Sequence, residues 1–263
     1  MPSIPIRPAG DTSNAQKPHA CSGCQEDKLD FDFDYAFQPI VDLKTRSIFA
    51  HEALVRGTNG ESAYSVLEKV NDDNRYAFDQ ACRVKAVSSA SRLGMSTALS
   101  INFLPNAVYQ PEACIQSTFK AAREFNFPLD KIIFEVTEGE QVTDRAHLLH
   151  IFEKYRSFGF QTAIDDFGAG YAGLNLLSAF QPHILKLDMD LIRDIDSHPP
   201  KQAIVKGMMV ISSLIGIRVI AEGVETRAEK DYLLSLGIHL MQGYYFCKPV
   251  FRGLGTIAPQ AWE

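Results

Sequence analysis

Acidic and amide side chains recur at or near the C-terminal ends of the apolar segments in this sequence. Strands that are buried on both faces normally consist of Val, Ile and Leu, so polar residues at these positions need a function or a partner. The polar residues are Glu52, Asn102, Glu135, Asp165, Asp166, Lys186, Glu222 and Gln242. Any one of them could be a solvated residue at a strand end, but five carboxylates gathered in one place would repel each other strongly without counter-charge.

These residue types favour the binding of a hard cation. Carboxylate and amide oxygens without clustered His or Cys suit Mg²⁺ or Mn²⁺. The adjacent pair Asp165 and Asp166 could serve two cations if the first carboxylate bridges them. Two cations about 3.5–4 Å apart are the usual arrangement for in-line displacement at phosphorus, which predicts a metal-dependent phosphoester hydrolase.

A glycine-rich segment, DDFGAGYAGL, occupies residues 165–174. Its glycines, Gly168, Gly170 and Gly173, allow backbone angles that other residues avoid. The segment is either a flexible loop between a strand and a helix or a gate that couples the cation site to an outside signal.

Eight apolar segments of strand length alternate with helical patterns, which predicts parallel strands joined by helical crossovers. The predicted strands are 36–43, 48–56, 97–104, 132–137, 161–166, 184–189, 218–223 and 240–246, and the predicted helices are 74–93, 111–126, 144–158, 171–180, 201–216 and 227–236. Eight strands favour a closed barrel whose strand ends open on one face. The link from Lys44 to Ser47 is short enough for a hairpin. We therefore predict an α/β fold, a (β/α)8 TIM-like barrel with an antiparallel first strand; an open doubly wound sheet is the alternative.

Composition and charge restrict the class of protein. The chain has 263 residues and a formal net charge of −6, which disfavours binding to nucleic-acid polymers or anionic membranes. Residues 1–30 are rich in Pro, Ser, Asn, Asp and Gln and are predicted to form a flexible N-terminal extension, whereas residues 31–263 are predicted to form one domain. No secretory signal and no apolar run of about 18 residues is evident, so we expect a cytoplasmic protein without membrane attachment.

The five cysteines are an odd number, which favours a reducing compartment. Cys82 and Cys114 fall inside predicted helices and Cys247 directly follows a predicted strand, and all three are expected to be buried free thiols. The other two, Cys21 and Cys24, form a CxxC pair within HACSGC. This pair could belong to a zinc or redox site, or could be two thiols in a flexible tail.

Several segments, taken in order, closely resemble the EAL-domain family of cyclic di-GMP phosphodiesterases. The signature tripeptide is Glu52-Ala53-Leu54, and the other matching segments are FQPIVDLKT, SINF, FEVTE, DDFGAGY, ILKLD, AEGVET and QGYYFCKP. The resemblance implies a (β/α)8-type barrel with an antiparallel first strand. It also implies hydrolysis of cyclic di-GMP to linear 5′-pGpG by a water that two Mg²⁺ or Mn²⁺ ions activate, in a stand-alone protein of the family.

The resemblance also implies roles for individual residues by motif match. The ligands of the first ion would be Glu52, Asn102, Glu135 and Asp165, and those of the second ion Asp165, Asp166 and Glu222. Lys186 would hold the attacking water, and Lys186, Glu52 and Glu222 are the expected catalytic residues. The substrate contacts would be Gln38, Leu54, Arg56, Glu225 and Gln242. The loop tied to regulation and dimer formation would include Glu138, Phe167, Gly168 and Gly170.

Some positions depart from the family pattern. Gly57 stands where a bulky residue is common, and Ala172 with Gly173 replaces paired serines, which affects the expected substrate affinity and loop stiffness rather than the ligand set. Two other functions stay open: a non-catalytic cyclic di-GMP receptor or protein-interaction module, and a hydrolase of another phosphoester. Segment 201–216 is more apolar than one buried face requires, so it is a deeply buried helix, a homodimer interface, or both. A regulatory protein is a further candidate partner.

Overall fold

The computed structural model describes residues 29–137, 145–170 and 173–263. The predicted N-terminal extension with its CxxC pair therefore lies almost entirely outside the described residues, as do Glu138 and Ala172. Within the described ranges, no helix is both long and apolar enough to cross a lipid bilayer.

The strands close into a barrel. They are β1 (Asp34–Asp42), β2 (Ser47–Arg56), β3 (Ala98–Asn102), β4 (Ile132–Thr137), β5 (Gln161–Phe167), β6 (Ile184–Leu187), β7 (Arg218–Ala221), β8 (Leu240–Met241) and β9 (Val250–Phe251). From β2 to β8 every neighbouring pair is parallel, whereas β1 pairs antiparallel with both β2 and β8. The predicted barrel and its antiparallel first strand are confirmed, and the open sheet is excluded because β1 joins the two ends. The short β9 adds an antiparallel pairing to the start of β1.

Helices surround the barrel, and their bounds differ in places from the predictions. They are α1 (Tyr64–Leu67), α2 (Arg75–Arg92), α3 (Pro111–Cys114), α4 (Gln116–Glu124), α5 (Arg145–Ser157), α6 (Gly173–Ala179), α7 (Met189–Ile192), α8 (Pro199–Ile215) and α9 (Arg227–Ser235). The predicted helix 111–126 is wrong as a single element, because it is divided at the buried Ile115 into α3 and α4. The predicted strand 184–189 ends early, because Asp188 caps α7 by accepting a hydrogen bond from the Asp190 amide at 2.8 Å. The predicted strand 240–246 is likewise too long, because β8 ends at Met241.

The barrel interior has an apolar layer and a polar layer, two residues apart on each strand. The apolar layer is Ile40, Ala50, Ala98, Ile133, Ala163, Ile184 and Ile220, with Leu240 packed against it. The polar layer, toward the end of the barrel where β2 to β8 finish, is Gln38, Glu52, Ser100, Glu135, Asp165, Lys186, Glu222 and Gln242. Alternate residues of a strand share one face, so each strand that places an apolar side chain in the lower layer places a polar one above it.

The described cysteines and α8 can be compared with their predictions. Cys82 and Cys114 are buried and lie outside any disulfide bond, as predicted, whereas Cys247 is only partly buried. Helix α8 buries one face and exposes apolar side chains on the other, among them Val210 and Leu214. It is therefore not buried all round.

Candidate active site

The ammonium group of Lys186 lies at the centre of the polar layer and is fully buried. Its Nζ atom lies 2.8 Å from a carboxylate oxygen of Glu222 and 2.9 Å from one of Asp165. The corresponding distances are 3.0 Å to Glu135 and 3.4 Å to Glu52. One positive charge thus contacts carboxylates from four different strand ends, which only a closed barrel can bring together.

The carboxylates form two overlapping groups, each with ligand atoms within 4.8 Å of one another. The first group is Glu52, Glu135 and Asp165, and the second is Asp165, Asp166 and Glu222. Asp165 belongs to both groups. This arrangement is the one that a carboxylate bridging two neighbouring cations requires.

Asp166 reaches the site through an unusual backbone conformation. Successive residues of a strand point to opposite faces, so Asp166 should point away from Asp165. Its φ is +52°, however, and the pairing of β5 with β6 is irregular between Ile164 and Phe167. The Asp166 amide donates to Asp165 Oδ1 at 2.9 Å, which supports this turn. The left-handed residue is strained, and it allows two adjacent acids to face the same cleft.

Burial and mutual repulsion change the proton affinities of these groups. Burial raises the pKa of Glu135 to about 8, although Lys186 acts in the opposite direction. Burial, together with the nearby Asp165 carboxylate, raises the pKa of Glu222 well above its ordinary value and that of Asp166 to about 6. Burial opposes ionisation of Asp165 as well, but Lys186 and hydrogen bonds hold its pKa below the usual value. Without further positive charge, Glu135 and Glu222 therefore favour the protonated form, whereas Asp165 favours the ionised one.

The donor set fits divalent cations. Five carboxylates face a single ammonium group, and the amides of Asn102 and Gln242 complete the oxygen-rich surroundings. Among the described residues, Gln242 Oε1 is a buried oxygen without a hydrogen-bond donor. Hard oxygen ligands and excess negative charge suit Mg²⁺ or Mn²⁺.

Amide side chains fix the orientation of Glu52. Asn102 Nδ2 donates to Glu52 Oε1 at 3.1 Å, and Gln242 Nε2 donates to Glu52 Oε2 at 2.8 Å and to Gln38 Oε1 at 3.1 Å. Gln38 Nε2 in turn donates to the Cys247 carbonyl at 3.1 Å. Strands β1, β2, β3 and β8 are thereby linked at the level of the carboxylates.

A cleft of about 450 Å³ opens above the carboxylates. Of the predicted substrate contacts, Gln38, Leu54, Glu225 and Gln242 line this cleft. Glu225 also forms an ion pair with Arg193, at 2.7 Å. Arg56 does not line the cleft, since its Nη1 donates to the Val55 carbonyl at 2.7 Å.

The predicted loop residues are only partly described. Phe167 is buried, and its carbonyl accepts from the Asp188 amide at 3.2 Å. Gly168 has a φ of +106°, and a Cβ there would lie 2.5 Å from Leu191 of α7. Gly170 is described in a bend, and Glu138 lies outside the described residues.

Sequence reasoning missed several residues that line the cleft, namely Thr137, Asp188, Met189, Gly223, Gly243 and Tyr244. Asp188 had a signal, because it follows Lys186 by two residues and so shares its inward direction. Glu229 was missed as well. Its carboxylate accepts from the amides of Glu225, Thr226 and Asp194, all at 2.9–3.0 Å, and so fixes the loop that carries Glu225. The spacing of Thr226 and Glu229 is that of a capping box and could have revealed this role.

Comparisons with known proteins agree with this geometry. BluF of Escherichia coli K12, a blue light- and temperature-regulated antirepressor, is 32% identical over 225 residues, covering 85% of this chain and 56% of BluF. Other curated relatives are named cyclic di-GMP phosphodiesterases, and the chain spans less than half of their length. The chain thus spans about half the length, or less, of the curated relatives that it matches.

Two solved structures are also similar. A standalone versatile EAL protein from Vibrio cholerae O395, in its c-di-GMP-bound form, has a TM-score of 0.87 and 55% identity over 90% of this chain and 100% of that one. Klebsiella pneumoniae BlrP1, in a complex with manganese and cyclic di-GMP at pH 9.0, has a TM-score of 0.82 and 35% identity over 89% of this chain and 59% of that one. The family model described as EAL domain matches residues 25–249. The chain therefore belongs to the EAL domain family.

Proposed function

We propose that this chain hydrolyses cyclic di-GMP to linear 5′-pGpG with two divalent cations, Mg²⁺ or Mn²⁺. The observation that carries the proposal is the position of Asp165, which belongs to both carboxylate groups of the polar layer. The first cation would be held by Glu52, Asn102, Glu135 and Asp165, and the second by Asp165, Asp166 and Glu222. The cyclic di-GMP complexes of two similar proteins, one of them with manganese, support this assignment of substrate and metal class.

The bound cations would make hydroxide available near neutral pH and neutralise charge on the phosphodiester. The chain itself supplies the orientation. Lys186 is buried and surrounded by carboxylates, so its ammonium group stays protonated and can donate a hydrogen bond to the attacking oxygen. In the proposed reaction this oxygen forms a bond to phosphorus while the bond from phosphorus to the ribose 3′ oxygen breaks, and one opened phosphodiester gives the linear dinucleotide.

The cleft walls fit the rest of a dinucleotide. Met189 and Tyr244 line the cleft and are 45% and 55% exposed, so they offer apolar and aromatic surface to a guanine base. Arg56 lies on the same face of β2 as Glu52 and Leu54, two positions beyond Leu54. A side-chain rotation that releases its bond to the Val55 carbonyl would make its guanidinium group available for paired hydrogen bonds to a phosphate.

A non-catalytic role is the second candidate function. BluF is named an antirepressor, so at least one relative of more than 30% identity is named for control of another protein rather than for hydrolysis. In that role the chain would bind cyclic di-GMP or a protein partner without opening the phosphodiester. The complete set of carboxylate, amide and lysine side chains in the polar layer favours hydrolysis.

The test is a hydrolysis assay with purified protein, cyclic di-GMP and either Mg²⁺ or Mn²⁺, with the nucleotides separated by ion-pair chromatography. Glu52→Ala removes a proposed ligand, and we expect it to lower the rate of pGpG formation by orders of magnitude while the fold persists. Glu153→Ala on the exposed face of α5 is the matched control and should retain full activity. Unchanged dinucleotide with measurable binding would instead establish the receptor function, and activity retained by Glu52→Ala would refute the site assignment.

We also propose that the exposed apolar face of α8 forms a homodimer interface. Ile204, Val210 and Leu214 are 51%, 61% and 81% exposed, and Val210 and Leu214, four residues apart, lie one above the other on the same side of the helix. Such a stripe on a surface helix is typical of a protein–protein contact. A second copy of the chain can supply the matching surface, because a twofold contact is self-complementary.

A further inference from the structure

Helix α2 carries a buried ion pair that lies outside the carboxylate site. Arg83 Nε lies 2.8 Å from Asp79 Oδ2, and the two side chains are 0% and 1% exposed. Arg83 also donates from Nη1 to the Tyr155 hydroxyl at 2.6 Å. Burying two charges costs several kcal/mol for each ion, so such a pair is weak support for stability alone. Its placement beside β3 indicates another role.

The second carboxylate oxygen of Asp79 contacts the segment that follows β3. The Leu104 amide donates to Asp79 Oδ1 at 2.9 Å, and the preceding amide, of Phe103, donates to the Glu135 carbonyl at 3.0 Å. The Arg83 guanidinium lies 5.7 Å from the centre of the Phe103 ring. The backbone amides of both Phe103 and Leu104 are therefore hydrogen-bonded, and the Phe103 ring also contacts Arg83.

The residue immediately before this fixed segment is Asn102. Its side chain donates to Glu52 in the polar layer, and it lines the cleft. Asn102 is the last residue of β3, so its position depends on how the chain continues. Beyond Asn102 the backbone leaves the sheet, and Asp79 on α2 holds it through the Leu104 amide, while the Phe103 ring packs against Phe152 and Tyr155 of α5.

We propose that Asp79 is a positioning residue for Asn102: it holds the Asn102–Leu104 segment so that the Asn102 amide stays among the proposed ligands of the first cation. The proposal rests on the proposed function in treating Asn102 as a ligand. Residues that orient the ligands of a metal usually affect its affinity by about 10- to 100-fold when they are replaced.

The chemistry of Asp79 makes the proposal testable with a change of one atom. Its Oδ1 faces the Leu104 N–H, and its Oδ2 faces Arg83 Nε at 2.8 Å and Gln80 Nε2 at 3.3 Å. An asparagine of the same shape has one oxygen and one NH₂ group, so it can accept hydrogen bonds on one side but must present its own hydrogens on the other. Asp79→Asn therefore removes the counter-charge of Arg83 in any orientation. The one remaining oxygen is expected to turn toward this buried guanidinium, so the Leu104 amide loses its acceptor.

The experiment measures Mn²⁺ affinity of the full chain by isothermal titration calorimetry, with no nucleotide present. We expect Asp79→Asn to weaken Mn²⁺ binding roughly 10-fold and to raise the Mn²⁺ concentration needed for half-maximal hydrolysis by a similar factor. At saturating Mn²⁺ the hydrolysis rate of the variant should return largely to that of the unmodified chain. In an Asn102→Ala background the same change should have no further effect on Mn²⁺ affinity, because residues that act as one unit are not additive.

Two further variants separate positioning from general destabilisation. Tyr155→Phe removes a buried hydrogen bond to the same Arg83 but leaves the contact of Asp79 with Leu104, so it should lower thermal stability without changing Mn²⁺ affinity. Asp79→Ala/Arg83→Met removes both charges together, which buried pairs tolerate better than the loss of one partner, and it should weaken Mn²⁺ binding as Asp79→Asn does. It also serves as the test if Asp79→Asn does not fold.

The possible failures are distinguishable. If the unmodified chain does not bind Mn²⁺, the proposed function and this inference both fail. If Asn102→Ala weakens Mn²⁺ binding but Asp79→Asn does not, or if Asp79→Asn has the same effect in both backgrounds, only the inference fails. An equal loss of affinity in Tyr155→Phe would also overturn it.

Discussion

The ammonium nitrogen of Lys186 lies 3.0 Å from Glu135 Oε2, and neither side chain is more than 1% exposed. The same nitrogen lies 2.9 Å from Asp165, whose lowered pKa keeps it ionised. Removing the lysine leaves this buried carboxylate without its counter-charge, so we expect Lys186→Met to lower the free energy of unfolding of the metal-free protein by about 3–5 kcal/mol at neutral pH. Urea denaturation in the presence of EDTA measures this change.

The matched control for this prediction is an exposed ion pair. Lys154 and Glu112 approach to 2.7 Å on the surface, with 38% and 49% of their side chains exposed. Lys154→Met should change the free energy of unfolding by only about 0–1 kcal/mol. Equal effects of the two substitutions would contradict the interpretation of Lys186 as the buried counter-charge of the site.

The proton held by Glu135 predicts how metal binding depends on pH. Its pKa is raised from 4.5 to about 8 in the folded protein, so the folded state binds a proton that the unfolded chain has released. This contribution to stability is complete below about pH 4.5 and is lost as the pH rises toward about 8. A cation must displace the proton, so metal affinity should increase over the same range.

We therefore expect the increase in Tm that a fixed concentration of Mg²⁺ causes to be larger at about pH 8 than at about pH 6. The raised pKa values of Asp166 and Glu222 act in the same direction. Thermal scans with Mg²⁺ or EDTA at each pH provide the measurement, and Glu135→Gln, which cannot titrate, should show a weaker dependence of the metal-free Tm on pH. A metal effect that decreases with rising pH would argue against these carboxyls as ligands.

Much of this site follows from local sequence patterns. The period of two that places Glu52 above Ala50, or Lys186 above Ile184, is visible in the sequence, as is the short hairpin that makes β1 antiparallel. The direction of Asp166 could not be predicted, because its left-handed conformation depends on how β5 meets β6.

Contacts between distant segments are the other part that the sequence conceals. The bond from the Leu104 amide to Asp79 spans 25 positions, and no spacing rule links a helix interior to a loop. The end of β6 was misjudged for a related reason: Asp188 reads as one more strand residue until its side chain caps α7. Periodicity thus locates residues within an element but does not reveal which backbone groups they satisfy elsewhere.

Gly243, beside Gln242, has no room for a side chain. A Cβ there would lie 2.0 Å from the Val224 carbonyl oxygen and 2.4 Å from the Val224 nitrogen. The Val224 backbone cannot move aside, because it is hydrogen-bonded to the Gln242 carbonyl at 3.1 Å and to the Tyr245 amide at 3.0 Å. We expect Gly243→Ala to cost about 2–4 kcal/mol in the free energy of unfolding and to reduce hydrolysis.

The control for Gly243 is Gly207 in the exposed part of α8, where an added Cβ would meet no atom within 4 Å. Gly207→Ala should stabilise the protein by up to about 1 kcal/mol, since alanine favours the helix. Chemical denaturation of both variants gives the comparison. If Gly243→Ala were as stable as the unmodified chain, the close approach of these two segments could not hold in solution.

The proposed interface on α8 predicts a change of oligomeric state on substitution of Leu214, which is 81% exposed. Leu214→Glu places a charge in the exposed apolar face of α8, and in a twofold contact the charge is introduced on both copies, so the dimer should dissociate. Light scattering coupled to size-exclusion chromatography measures the mass.

Tyr64→Glu, which changes an equally exposed aromatic residue on α1, should leave the mass unchanged. A monomeric unmodified chain, or a dimer that survives Leu214→Glu, would refute the proposed interface. If the dimer does form through α8, dissociation should also alter hydrolysis, because α8 contacts α7, and α7 begins directly after Asp188 at the edge of the cleft.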